Sequence, residues 1–214
     1  VFSFGFGPVF QKAGEGSYFQ FLTPGIIVMS IIFTALFSGI EIIWDRQFGF
    51  LKETLVAPVS RLEIMIGRTL GGATVAIFQG FFIFIISLLV GFQISNSALL
   101  PLFLAFLFLT ALLFTAIGTA IASLMEDMHG FQLIMNFLIM PLFFLSGAFF
   151  PLEGLPKAAF WVIKINPLSY GVDGIRGTLL GVSNFGLSFD FFILSFFTLI
   201  FLGIGSYLFS KIQI

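Results

Sequence analysis

No cysteine occurs in these 214 residues, which excludes disulfides, thiolate nucleophiles and cysteine metal sites and leaves the redox compartment unreadable. A single histidine, His129, cannot build a metal site alone. No Gly-x-x-x-x-Gly-Lys-Ser/Thr occurs, nor any Gly-Lys pair, so the chain has no loop of its own to cradle nucleotide phosphates. Charge is scarce as well: 9% of residues are charged, against about 25% in a typical soluble domain. The formal net charge of -1 gives no reason to expect nucleic acid as a partner. The first residue is Val1 and no basic stretch precedes an apolar core, so the chain reads as a fragment or a processed product without a signal peptide.

What the chain has instead is grease. Apolar residues make up 59%, mean hydropathy is +1.15, and phenylalanine alone supplies 34 positions. So little polar surface cannot cover a soluble globule, and the expected setting is a bilayer. A hydrocarbon core about 30 Å thick needs roughly 20 apolar residues in a helix. Five windows qualify, at about 21–43, 70–92, 98–124, 131–150 and 191–210. The expected fold is therefore an all-α, polytopic helical bundle in one membrane domain, 1–214. If the charged 44–69 loop is cytoplasmic, Arg46, Lys52, Arg61, Arg68 and Lys211 fall inside, and Lys12, Lys157, Lys164 and Arg176 fall outside.

The most unusual stretch is FLKETLVAPVSRLEIMIGR, residues 50–68, which sets Lys52, Glu53, Arg61, Glu63 and Arg68 between two apolar windows. At about 2.5–3.5 kcal/mol per central charge it cannot lie in lipid. Ser60 and Glu63 have the spacing of a capping box that opens a helix into the next span. Pro58 ends whatever precedes it. Upstream, about 47–56 reads as a short amphipathic helix with Phe50, Leu51 and Leu55 on one side and Lys52 and Glu53 exposed. Such a helix suits either the lipid surface or a partner that pushes on both flanking spans. On the other side, 151–190 is interrupted at Pro156 and at Asn166-Pro167, with apolar runs too short to cross, as expected of interfacial or re-entrant helices.

The order E-x-L-x-x-P-V-S-R-x-E-x-x-x-G-R, from Glu53 through Pro58, Ser60, Arg61 and Glu63 to Gly67-Arg68, resembles the first cytoplasmic loop of type-2 ABC exporter permeases. FFLSGAFFPLEGLP at 143–156, followed by INPLSYGVDGIRGTLLG at 165–181, resembles the outer end of that family's fifth span and its re-entrant pair. The similarity is greatest to the daunorubicin-resistance group of drug and lipid exporters. It implies a six-span permease whose first span is absent here, working as a dimer with a second permease copy in the cell membrane. It implies a cytoplasmic ABC ATPase partner that carries the ATP and Mg, with no cofactor on this chain and no enzymatic activity of its own. It also implies a coupling helix touching that ATPase through Phe50, Glu53, Thr54, Leu55, Pro58 and Arg61. Because the family's second and fifth spans are held to line its cavity, Phe33, Phe37, Gln132 and Asn136 become the expected substrate path. Phe149, Asn166, Tyr170 and Arg176 become the expected outer gate.

The remaining polar residues have plainer readings. Gln79, Gln132 and Asn136 within spans suit hydrogen bonds between helices, and Gly67/Gly71 and Gly118/Ala122 suit close helix packing. Glu41 suits pairing with Arg46 or Arg68. Glu126, Asp127 and His129 read as a solvated turn, and Asp173 with Arg176 as an i,i+3 contact. In the outer segment, which also holds Glu153 and Lys164, Trp161 and Tyr170 suit an interfacial anchor. Two other functions compete with an exporter subunit for amphipathic drugs, lipids or glycolipids. A lipid-modifying intramembrane enzyme requires acids, bases or metal ligands gathered at one depth. A channel or secondary transporter requires charges near the midplane or matched broken helices. The sparse, scattered charges favour neither.

Overall fold

A computed structural model describes residues 18–56, 58–152 and 157–211, without the side chains of Leu55 and 157–159. The expectations placed on residues 1–17, on the Leu55 side chain and on Glu153 lie outside the described residues. Helices are α1 (Tyr18–Phe37), α2 (Ile40–Gln47), α3 (Phe50–Val56), α4 (Arg61–Leu89), α5 (Leu100–Ser123), α6 (Met128–Phe144), α7 (Lys157–Ile165), α8 (Pro167–Leu180) and α9 (Leu187–Ser210). The fold is all-α, and no strand occurs among the described residues.

Among the described residues four stretches are long and apolar enough to cross a membrane: Tyr18–Gln47 (α1 with α2), Arg61–Leu89, Ser97–Ser123 and Leu187–Ser210. The fifth expected span is shorter than its apolar window. α6 has 17 residues, about 25 Å at 1.5 Å per residue, and stops at Phe144 instead of continuing to Phe150. Leu145 to Phe150 form a turn because Asn166 and Arg176, far along the chain, take its carbonyls.

α5 is the central post. It carries no charge, buries Phe103, Phe106 and Phe114, and packs against α1, α4, α8 and α9. α8 is enclosed by α1, α5 and α9, buried from Leu168 to Leu179. Two glycines set the closest approach. A Cβ on Gly118 would meet the backbone of Leu36, and one on Gly39 would meet the Gly118 carbonyl, so α5 crosses α1 backbone to backbone where α1 breaks into α2. The expected packing role of Gly118 is therefore realised. Gly67 and Gly71, in contrast, have nothing within 4 Å, so their face is open on this chain.

Candidate functional site

The helix start read at Ser60 and Glu63 is present as a full capping box. Ser60 Oγ accepts from the Glu63 N–H at 3.3 Å and a Glu63 oxygen accepts from the Ser60 N–H at 2.7 Å. α4 thus begins well before the apolar window at 70, so its first two turns stand at the end of the molecule that carries α3. The upstream piece is not one helix. α2 runs to Gln47, Gly49 turns the chain at φ +83°, and α3 starts afresh at Phe50. That turn resets the helical phase. Leu51 is 1% exposed and anchors α3, whereas Phe50 is 57% exposed and does not share its buried side.

The helices on either side of α3 make a frame of polar contacts. Asp45 on α2 is ion-paired with Arg68 on α4, which ties together the two helices flanking α3. Arg46 donates to the carbonyls of Met125 at 3.0 Å and Ser123 at 3.4 Å, and lies 3.7 Å from Glu126. Gln47 donates to the Glu126 carbonyl at 2.9 Å, and Trp44 Nε1 donates to Met128 Sδ. Arg61 Nη1 donates to the Ser210 carbonyl at 2.7 Å, closing the C-terminal end of α9. The helices that flank α3, α2 and α4, are therefore tied to each other, to the α5–α6 turn and to α9. Lys52, Glu53, Val56, Pro58, Val59 and Leu62 are exposed, and Thr54 Oγ1 returns to the Phe50 carbonyl at 3.2 Å.

Of the six expected coupling residues, Phe50, Glu53 and Pro58 are exposed, Thr54 is half-buried, and Arg61 is engaged within the chain. Glu41 is exposed, and the ion pairs of Arg46 and Arg68 are with Glu126 and Asp45. In the expected solvated turn, Glu126, Asp127 and His129 are exposed, and Asp127 caps α6 by accepting from the Gly130 N–H at 2.6 Å. The sequence places Leu51 on the apolar side of this helix, where it is buried, but shows neither the Arg46 nor the Gln47 clamp. Leu51 at the apolar position of a short helix was a visible signal, but the clamps join residues about eighty apart and had none.

The expected path residues fall on α1 and α6. Phe33 and Phe37 are half-buried and stacked at 6.4 Å, and Phe37 meets Phe131 of α6 edge-on at 6.4 Å. Gln132 and Asn136, like Gln79 on α4, face outward, so hydrogen bonds from these side chains across helices inside one chain are not their arrangement. Beside them an apolar groove of about 860 Å3 runs between α6 and the α7–α8 corner, lined by Leu133, Phe137, Pro141, Val162 and Ile165 with Asn166 as its polar group.

Three of the four expected gate residues gather on the turn after α6. Asn166 donates to the carbonyls of Leu142 at 2.6 Å and Leu145 at 3.0 Å while its Oδ1 accepts from Leu168 N–H, capping α8. Arg176, 4% exposed, donates to the Gly147 carbonyl at 3.1 Å and lies 4.2 Å from the Phe21 ring centre. Burial pushes its guanidinium down to about 10 while the nearby Asp173 charge pulls it up, so it stays charged at neutral pH. Phe149 packs edge-on against Phe143 at 5.0 Å. Tyr170 stands apart, donating to the Lys164 carbonyl at 2.6 Å beside Phe185. The expected contact of Asp173 with Arg176 is not an ion pair; Asp173 accepts instead from the 183–185 loop. Asn166→Ala strips two carbonyls and one cap at once, and is expected to cost about 1–3 kcal/mol of stability by thermal unfolding in detergent.

The family model described as ABC-2 type transporter matches residues 1–180. The ycf38 protein of Cyanophora paradoxa, whose name describes it as a transport permease, is 33% identical over 201 residues, 91% of this chain and 69% of its own. The inner membrane transport permease YadH of Escherichia coli is 33% identical over 189 residues, 86% of this chain and 72% of its own. Nodulation protein J of Rhizobium leguminosarum is 29% identical over 179 residues, 83% of this chain and 68% of its own. With four helices of spanning length and such relatives, the chain is a multi-pass membrane protein.

Proposed function

We propose, from the premise that this chain belongs to the ABC-2 type transporter family, that it is the transmembrane permease subunit of an ATP-driven exporter. The observation that carries the proposal is α3: a short helix with Leu51 buried and Lys52 and Glu53 exposed, set between α2 and α4, which are tied to each other, to the α5–α6 turn and to α9. A seven-residue helix is too short to hold its shape unaided. Set in that frame, it can take a push from a docked partner and pass it into α4, α5 and α9 together. The partner is a separate ABC ATPase, which binds ATP and Mg, and the α3 end is cytoplasmic.

Phe50, Glu53, Thr54, Leu55 and Pro58 are the docking contacts in this reading. Arg61 acts one step behind them, as the tie to α9. A second permease copy, identical or related, faces this one, and the substrate path runs past Phe33, Phe37, Gln132 and Asn136 to a gate at Phe149, Asn166 and Arg176. A lining this rich in phenylalanine and poor in fixed charge suits amphipathic drugs, lipids or glycolipids. The test is ATP-driven redistribution of a fluorescent phospholipid in vesicles holding the chain and its ATPase. Glu53→Lys is expected to lower the ATP-dependent rate at least tenfold with the protein still folded; an unchanged rate contradicts the docking role of α3.

A further inference from the structure

Asp190 stands in the first turn of α9, fully buried, and neither carboxylate oxygen has a donor among the described residues. Its neighbour is Asp173 of α8, itself 2% exposed. Asp173 is amply supplied: Ser183 Oγ at 2.9 Å, the Asn184 N–H at 2.8 Å, Asn184 Nδ2 at 2.8 Å and the Phe185 N–H at 2.9 Å all donate to it. Four donors suit an ionised, acceptor-only carboxylate. No donors, inside a packed protein, do not.

Charge counting points the same way. Of the groups around Asp190, α8 contributes Asp173 and Tyr170, and Arg176 lies near Asp173. The 181–186 loop contributes no ionisable side chain, α5 contributes none, and α4 carries its charges, Arg61, Glu63 and Arg68, at the far end. The one guanidinium near the pair, Arg176, lies by Asp173, so the two carboxyls and Arg176 together are neutral only with one added positive charge. A hard metal ion wants roughly six to eight oxygens, and the described residues hold no cluster of three metal-binding side chains. A proton needs only the two carboxyls.

We propose that Asp190 and Asp173 form a buried proton-binding site that fastens α8 to the first turn of α9. The proton resides on Asp190, whose O–H donates to Asp173, and Arg176 balances the charge that remains. When the proton is lost to bulk water, two negative carboxylates face one guanidinium and the α8–α9 contact loosens. The site is thus a pH-responsive fastening at the end of the molecule opposite α3, and it stands whether or not the transport reading does.

The test is infrared spectroscopy of the purified protein, 13C-labelled at aspartate, in lipid nanodiscs. Besides this pair the chain has only Asp45, ion-paired, and Asp127, exposed. A labelled protonated-carboxyl stretch is expected at pH 7, fading as pH is raised together with the thermal transition temperature. Asp190→Asn, whose amide can donate to Asp173 in place of the acid, is expected to fold, to lack the band and to keep a flat transition temperature over the same range. Absence of the band from the wild-type spectrum at pH 7 overturns the proposal even if the variant fails to fold. Persistence of the band in Asp190→Asn overturns it as well.

Discussion

Gly118→Val is expected to be among the most damaging single changes in the chain. A Cβ at 118 would fall against Leu36 backbone, the carbonyl oxygen included, and against nothing that can rotate away. Relief requires α1 and α5 to separate, which would lift Gly39 from the Gly118 carbonyl and disturb the break that directs α2 toward α3. Overpacking of a close-packed core typically costs about 1–3 kcal/mol; with backbone on both sides, the upper end is expected, seen as a lower transition temperature and reduced recovery of monodisperse protein. Gly71→Ala is the control. Gly71 has open space around it, so there the gain in helix propensity, up to about 1 kcal/mol, should leave stability equal or higher.

Leu51→Ala should weaken coupling more than folding. Leu51 is the buried anchor of a helix otherwise held by its flanking turns. Truncating a buried leucine costs about 2–5 kcal/mol, and at about 1.4 kcal/mol per tenfold the docked arrangement of α3 would fall by one to three orders of magnitude. Leu51 belongs to the same buried apolar cluster as Phe103, Phe106 and Phe114 of α5, so part of this cost falls on the fold itself. The expected result is a protein that still folds, with a lower transition temperature, and whose partner ATPase no longer responds to it. Arg61→Ala, which frees the α9 carbonyl but leaves Leu51 in place, should reduce the response less.

Composition and apolar length made the class of fold legible, and the Ser60/Glu63 spacing placed the start of α4 because a capping box is local chemistry. What the sequence left hidden was long-range. One helix over 47–56 puts Phe50 on the same side as Leu51, whereas the structure buries Leu51 and leaves Phe50 exposed. Gly49 at positive φ breaks that phase, and glycine alone does not announce which turn it will make. The fourth apolar window was read through to Phe150, but carbonyl contacts from Asn166 and Arg176 end the helix six residues earlier. Arg61 was read as a partner contact, and its acceptor lies 149 positions away. Asp173 and Asp190, 17 positions apart, are paired only by the return of the chain through the 183–186 turn.

In the proposed function α3 is the place where a separate ATPase engages this chain. Co-purification tests it most directly. The full-length protein, extracted with an affinity tag from cells that also make its ABC ATPase, should carry that ATPase with it and alter its hydrolysis of ATP. Glu53→Lys should abolish both effects while leaving the protein monodisperse. Recovery of the chain free of any ATPase, or equal retention and stimulation by wild type and Glu53→Lys, would contradict it.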